Sequence, residues 1–131
     1  MTPLAALVAA SERIAATASR TAKVRELAAL LKQLAPDEID IAVHYLSGEL
    51  PQGPIGVGGA ALRSAAGEAA ALEARLSVLE VDRLIRELGA LRGTGSAQRR
   101  ETALRALFAQ ATLAEQHFLL RLLAGELRQG A

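Results

Sequence analysis

The sequence contains no cysteine and no tryptophan, and its aromatic residues are limited to one tyrosine and two phenylalanines. Without cysteine, the chain forms no disulfide bond and offers no thiolate ligand to a metal. Tyr45, Phe108 and Phe118 fall on apolar stripes, so we expect them in a core and not on a surface that stacks single-stranded bases. The few aromatic residues therefore argue against recognition of single-stranded nucleic acid.

Catalytic and membrane-spanning motifs are missing as well. His44 and His117 share no carboxylate at ligand spacing, and the two lysines, Lys23 and Lys32, stand outside any Lys-x-Asp-Gly motif. Residues 53–61 contain Gly-x-Gly-x-x-Ala but lack the preceding strand of a dinucleotide site. No uncharged apolar run approaches the roughly 20 residues of a membrane helix, and no basic segment marks a secretory signal. We therefore expect a cytoplasmic protein with no active site, metal or cofactor in these residues.

The residues that are abundant favour helices. Hydrophobic residues make up 51% of the chain, and most of them are alanine and leucine. Together with arginine and glutamate these are strong helix formers, and β-branched residues are few. A chain of 131 residues is long enough for one domain with a modest core. The composition predicts an all-α helical bundle with no sheet, over residues 1–131.

The sequence contains an internal repeat. Residues 46–53 return 77 positions later as residues 123–130, with six of eight positions identical, and residues 21–53 share 11 of 33 positions with residues 98–130. Each block ends in Leu-x-Gly-Glu-Leu followed by a glycine turn. The repeat predicts two copies of about three helices, at about 2–59 and 78–131, related by a pseudo-twofold axis, with a linker at about 64–76. The chain ends just past the second glycine turn, so we expect it to be a fragment of a longer protein.

Several residues predict where helices begin. Thr2 with Pro3 marks the first start, and Ser19 or Thr21 marks the second. Thr112 with glutamate three residues later is a capping box, as is the Ser77 segment, and Ser96 is expected to cap the helix after the turn at 93–95. The small residues at 65–71 are typical of a linker or of an inserted weak helix.

The net charge is only +1, but the basic residues are concentrated in two segments. Five cations occupy residues 13–32 against Glu26, and six arginines occupy residues 83–105 against Glu87 and Glu101. Such segments are often solvated helix faces, yet their matching places in the repeat favour a surface that meets a polyanion.

The glycine-rich loop at residues 53–61 leads into a run of small residues. A loop of this kind exposes backbone N–H groups at the positive end of a helix, where no bulky side chain blocks a phosphate. A flexible connector is the alternative interpretation. Residues 129–131 would be the equivalent site of the second copy.

Four runs of sequence resemble the N-terminal DNA-binding domain of ATP-dependent DNA ligases: residues 15–24, 45–52, 55–58 and 118–131. The match is to the bacterial ligase B type, which shares this domain with archaeal and eukaryotic replicative ligases. The resemblance implies an all-helical, pseudo-twofold domain that grips nicked duplex DNA across the minor groove during replication, repair and recombination. It also implies that the catalytic lysine, the nucleotidyltransferase domain and the OB-fold domain, with their ATP and Mg²⁺, lie in another part of the ligase.

The resemblance also implies which residues bind DNA. Backbone amides of two glycine turns would meet phosphates, and cations near those turns would support them. The turn residues are Gly56, Val57, Gly58, Gly130 and Ala131, and the cations are Arg20, Lys23, Arg63, Arg99, Arg100 and Arg128.

A helical protein–protein scaffold is the competing hypothesis, because the net charge is small and alanine is abundant. A scaffold has no reason to repeat the glycine turn at Gly130 and Ala131, whereas a phosphate site does. A scaffold would also bind its partner at high salt.

Overall fold

The computed structural model of the chain describes residues 1–127, and these residues form seven helices and no strand. The all-α prediction is therefore confirmed. Pro3 and Ser77 form an isolated antiparallel bridge. The helices are α1 (Leu4–Ala15), α2 (Arg20–Gln33), α3 (Pro36–Leu46), α4 (Gly59–Ala66), α5 (Val78–Gly89), α6 (Ser96–Ala109) and α7 (Leu113–Leu123).

Short polar side chains begin three of these helices, as the sequence indicates. The Ser19 hydroxyl accepts a hydrogen bond from the Ala22 amide at 3.2 Å, and Ser77 does the same for Glu80 at 3.1 Å. Thr112 forms a full capping box, because the Glu115 carboxylate also accepts from the Thr112 amide at 2.8 Å. Each contact satisfies backbone donors that have no partner inside the helix.

Two predicted helix starts are wrong. Ser96 is the first residue of α6, and Gly95 is the N-cap. The backbone at position 95 has a left-handed φ of 79°, which glycine adopts more easily than serine. Helix α1 begins at Leu4, with Pro3 as its cap, because Thr2 has another partner. The Thr2 amide and hydroxyl donate to the Glu38 carboxylate at 2.7 and 2.8 Å.

Glu38 is a buried carboxylate that joins the start of the chain to α3. Besides the two donors of Thr2, it accepts a hydrogen bond from the Ala35 amide at 2.8 Å, and the residue is only 1% exposed. The hydrogen bond from the Thr2 amide is the main cause that holds the pKa of Glu38 below its ordinary value, against the effect of burial. Residues 2–4 also form main-chain hydrogen bonds with the segment that begins the second half of the chain. The Leu4 amide donates to the Leu76 carbonyl, and the Val78 amide donates to the Thr2 carbonyl.

The segment predicted as a linker, about 64–76, begins inside α4. Helix α4 packs against α6 and α7, and its side chains Leu62 and Ala65 are buried. The rest of the segment contacts the body of the domain: the Ala71 amide donates to the Ala111 carbonyl at 2.8 Å, and Leu76 is 1% exposed. The structure therefore adds a seventh helix between the two predicted sets of three.

Corresponding helices occupy matching positions in the chain. The bounds of α3 and α7 coincide at the repeat offset, and the glycines that follow them, Gly48 and Gly125, have φ values of 81° and 74°. Helix α1 packs against α2 and α7, whereas α5 packs against α6 and α3. One hydrophobic core joins both halves. The pseudo-twofold axis and the limits of the copies stay predictions.

Candidate nucleic-acid interface

The glycine-rich loop between α3 and α4 rests on the C-terminal end of α5 through Ile55. Ile55 is 8% exposed, and a Cβ atom placed on Gly89 would lie 2.9 Å from its Cγ2 atom. Such a distance is shorter than real Cβ contacts, so a side chain at position 89 would displace the loop. Glycine at this position thus allows the loop to rest on α5.

Gly56 and Arg100, which the sequence predicts as separate contacts to DNA, lie next to each other. Gly56 has a φ of 73°, a left-handed conformation that favours glycine. A Cβ atom placed on it would lie 3.7 Å from the Nε and Cζ atoms of Arg100, an ordinary contact distance. The two residues share a cleft of about 290 Å³, lined by Pro54, Ile55, Gly56, Gly89, Leu91, Arg92, Gly93, Ser96 and Arg100.

Two arginines that line this cleft, and Arg99 next to Arg92, bond to main-chain carbonyl groups. Arg92 Nη1 donates to Gly89 and Leu91 at 2.6 and 2.9 Å, Arg99 Nη2 to Arg92 at 3.1 Å, and Arg100 Nη1 to Leu91 at 2.8 Å. These carbonyl groups belong to the end of α5 and the turn after it, where the helix dipole is negative and cations are stabilised.

No carboxylate among the described residues forms an ion pair with these arginines. Within residues 1–127, the ion pairs of the arginines are formed by other members of the basic segments: Arg13 with Glu26, Arg83 with Glu87, Arg86 with Asp82 and Arg105 with Glu68. The Nε atom of Arg100 is buried without a hydrogen-bond partner among the described residues. The cleft is therefore a cationic site, with Arg92 and Arg100 in its lining.

Sequence reasoning missed Arg92 as a site residue. It is one of six arginines in the second basic segment, and three of those, at 83, 86 and 105, are neutralised by acids. The useful signal is its position just after the end of α5 and directly ahead of Gly93.

Gly58 and Arg63 lie at the start of α4. Gly58 is the N-cap with a φ of −91°, and no side chain caps this helix. A Cβ atom placed on Gly58 would meet nothing within 4 Å among the described residues, whereas one on Gly59 would lie 3.1 Å from Arg63 Nη1. The Arg63 guanidinium is therefore near the first turn of α4, while the Val57 side chain packs against the core.

The remaining predicted residues are elsewhere. Arg20 and Lys23 lie in the first turn of α2, which packs against α1, and neither lines the cleft. The first turns of α2, α4 and α6 contain no acid, in contrast to those of α3, α5 and α7. Arg128, Gly130 and Ala131 lie outside the described residues.

Residues 1–127 contain neither a metal-binding cluster nor a membrane-spanning helix. No group of three or more histidine, aspartate or glutamate side chains there could hold a metal ion. No helix within residues 1–127 is both long enough and apolar enough to cross a membrane.

Comparison with known proteins finds similarity to DNA ligases. The family described as DNA ligase N terminus matches residues 71–131. The chain is 51% identical over 122 residues to a probable DNA ligase of Mycolicibacterium gilvum, covering 93% of this chain and 24% of that protein. It is 52% identical over 120 residues to DNA ligase B of Mycobacterium tuberculosis, covering 90% of this chain and 23% of that protein.

A probable DNA ligase of Mycobacterium avium is 52% identical over 124 residues, which is 93% of this chain and 23% of the relative. The chain thus spans about a quarter of the length of the curated relatives it matches. High identity over nine-tenths of the chain and the match of its second half agree with the resemblance seen in the sequence. The chain therefore resembles the N-terminal domain of DNA ligases.

Proposed function

We propose that this chain is the non-catalytic DNA-binding domain of an ATP-dependent DNA ligase and that it grips nicked duplex DNA through phosphates along the minor groove. The observation that carries the proposal is the cleft in which the exposed Gly56 main chain lies beside Arg100, with Arg92 on the same wall. One strand's phosphates would run past this cleft.

Arginines that bond to carbonyl groups are better suited to bind phosphate than arginines that are paired with carboxylates. Each guanidinium has five N–H donors, and Arg100 uses one of its Nη groups on the Leu91 carbonyl. That bond fixes the direction of the guanidinium and leaves donors for a phosphate oxygen. Because the partner is a carbonyl group and not an acid, the full positive charge remains available to the DNA backbone.

The helix starts around the cleft favour an anion as well. The first turns of α4 and α6 contain no acid, and α4 has no side-chain cap. The first backbone N–H groups of a helix form a partial positive charge that binds phosphate. Arg63 near the start of α4 adds a full charge to it.

Such contacts carry little information about sequence. Phosphate contacts set position and affinity, and base edges set specificity. The cleft contains no aromatic side chain for stacking. We therefore expect binding of duplex DNA over single strands, with weak preference for base sequence.

The rest of the ligase would supply the chemistry in this proposal. A nucleotidyltransferase domain with the adenylated lysine and an OB-fold domain would bind ATP and Mg²⁺ and join the nicked strand. The N-terminal domain would hold the duplex while those domains close on the nick, in the cytoplasm where bacterial DNA replication and repair take place.

The test is fluorescence anisotropy of a labelled nicked duplex titrated with the chain at several salt concentrations, with unlabelled duplex and single strands as competitors. The proposal is supported if the chain prefers duplex and if log Kobs falls with log salt concentration. The expected slope is about −0.9 for each neutralised phosphate. Affinity that does not change with salt contradicts it and favours the protein–protein scaffold.

A further inference from the structure

The buried side of α5 contains one charged residue, Asp82. The other buried residues of this helix are apolar: Val78, Val81, Ile85 and Leu88. Asp82 is only 7% exposed, and the burial of a carboxylate is unfavourable unless hydrogen bonds replace the lost water. An apolar residue of similar size at this position would avoid that desolvation. The carboxylate therefore indicates a role other than stability.

Two hydrogen bonds replace the water that Asp82 loses. Gln52 Nε2 donates to its Oδ1 atom at 2.5 Å, and Arg86 Nη1 donates to its Oδ2 atom at 2.9 Å. Since an ionised carboxylate only accepts hydrogen bonds, the amide nitrogen of Gln52 must face Asp82. The bond to Arg86 stays within α5, whereas Gln52 comes directly before the glycine-rich loop. The carboxylate therefore ties the start of this loop to α5.

Tyr45 approaches Asp82 from α3, the helix that precedes the loop. Tyr45 is 0% exposed, and its hydroxyl has no hydrogen-bond partner among the described residues. Burial and, after it, the negative charge of Asp82 raise the pKa of this hydroxyl. Helix α3 packs against α5, so both helices and the start of the loop meet at the carboxylate.

A second contact holds the loop farther along α5. Ile55 rests on Gly89, which lies seven residues after Asp82 and on the same side of the helix. Seven residues of α-helix rise about 10 Å, and the extended backbone from Gln52 to Ile55 also spans about 10 Å. The two lengths agree, so the segment between the contacts has little slack. Gly56 follows directly after the second contact.

We propose that Asp82 is a positioning residue: through Gln52 it holds the glycine-rich loop against α5 in the form that binds a phosphate. Gly56 then stays beside Arg100. This inference rests on the proposed function, because it gives Asp82 a part in the same cleft, although Asp82 itself does not touch DNA. A loop that is fixed before binding gives a higher affinity, because the apparent Kd rises as the binding-competent fraction falls.

The direction of the effect separates this role from simple electrostatics. Loss of one acid raises the net charge from +1 to +2, and a higher positive charge favours binding to DNA. Asp82→Leu should nevertheless weaken binding, because it releases the loop. Glu87→Leu is the matched control, since it also removes an acid of α5 that pairs with an arginine at i,i+4 spacing. Glu87 is exposed, and its hydrogen bonds are to Arg83.

The loop and the DNA are measured separately. Without DNA, NMR order parameters of the Gly56 and Gly58 amides report the order of the loop. We expect about 0.85, typical of a rigid backbone, in the parent chain and in Glu87→Leu, and less than about 0.6 in Asp82→Leu. In anisotropy titrations at one salt concentration, the Kd for nicked duplex should rise about tenfold in Asp82→Leu. It should stay equal or fall in Glu87→Leu.

Two further variants make the test independent of how Asp82→Leu folds. Gln52→Met keeps the length of the side chain and the net charge but removes the amide donor, so it should weaken binding to the same extent. Asp82→Asn removes the charge but keeps a hydrogen bond, because the Gln52 amide can turn over and accept from asparagine. This variant should restore the order of the loop and the affinity. Gln52→Met combined with Asp82→Leu should bind no more weakly than either alone, since both changes remove one contact.

The proposal is wrong if any of three results is found. The first is a loop that is equally ordered in Asp82→Leu, Gln52→Met and the parent chain. The second is a loop that loses its order without a change in the affinity for duplex. The third is an equal loss of affinity in Asp82→Asn and Asp82→Leu, which would assign the effect to charge. If the parent chain does not bind duplex, the proposed function fails, and the order parameters still decide whether Asp82 holds the loop.

Discussion

Replacing Arg100 with glutamine tests whether the cleft is a phosphate site. Arg100 is half-buried on α6, bonds through Nη1 to the Leu91 carbonyl at 2.8 Å, and lies beside the Gly56 main chain. Glutamine removes the positive charge but keeps a polar amide of shorter reach. The change therefore affects the electrostatic contact with DNA more than the fold.

The expected magnitude follows from the contacts. One lost phosphate contact reduces the slope of log Kobs against log salt by about 0.9 for B-DNA. A hydrogen bond to a charged group contributes about 1.5 kcal/mol or more, so the Kd for duplex should rise about tenfold at low salt. The bond to Leu91 is a single one at a partly exposed site, and its loss costs about 1 kcal/mol of folding stability at most.

The assay is the anisotropy titration on nicked duplex between about 50 and 200 mM salt, a range over which phosphate contacts change affinity strongly. Arg83→Gln is the matched control, since it removes the same charge from an exposed pair with Glu87 at 3.2 Å. Exposed pairs of this type contribute about 0–1 kcal/mol, so this variant should fold normally. Equal slopes for the two variants and the parent chain would refute the assignment of Arg100 to a phosphate.

Three further changes test the loop and the buried carboxylate. Gly58→Val should weaken DNA binding without loss of helicity, because position 58 has ordinary backbone geometry and open space where DNA would pass; anisotropy and circular dichroism measure the two effects. Gly89→Ala should lower the free energy of unfolding by about 1 kcal/mol and weaken binding, because the new Cβ displaces Ile55; thermal melts and titration measure it. Glu38→Gln should cost about 2 kcal/mol at neutral pH and less in acid, measured by urea unfolding from about pH 7 to 3.

The sign of the pH effect follows from the lowered pKa of Glu38. Its ionised form stabilises the fold at every pH above the ordinary value of 4.5, and this contribution disappears as the pH falls through the lower pKa of the folded chain. The difference between Glu38→Gln and the parent should therefore shrink below about pH 4. Exposed Glu73 replaced by glutamine is the control. A difference that is constant with pH would contradict the ionised role.

The other two predictions also have contrary outcomes. Binding that is unchanged by Gly58→Val would mean that this turn does not approach the DNA backbone. A gain in stability from Gly89→Ala would mean that the helix propensity of alanine outweighs the contact with Ile55. Gly53→Ala is a useful comparison, because its added Cβ meets no atom within 4 Å among the described residues, although its φ of 76° strains alanine.

Local signals in the sequence predicted local structure well. The capping box at Thr112 and the cap at Ser19 depend on residues within about four positions of one another. These features are therefore determined by short stretches of sequence and can be predicted from them. The same holds for helix content, since alanine, leucine, arginine and glutamate act through backbone propensity.

Contacts between distant residues were not predictable in the same way. Thr2 was assigned to a helix start, but it binds Glu38, 36 residues away, and no local pattern marks that pair. Arg105 belongs to a basic segment expected to meet a polyanion, but it pairs with Glu68 at 2.9 Å. The family resemblance brought Gly56 and Arg100 into one set of candidates, whereas their adjacency depends on how α6 packs against the loop.

The bonds made by the first residues set an order on folding during synthesis. Thr2 bonds to Glu38 and accepts from the Val78 amide, and the Leu4 amide donates to the Leu76 carbonyl. Leu76 and Val78 are joined to the chain after α1, α2 and α3 have been synthesised. Contacts of such long sequence separation form late and slow folding. The first residues of the chain therefore gain these two bonds only after the start of α5 has been translated.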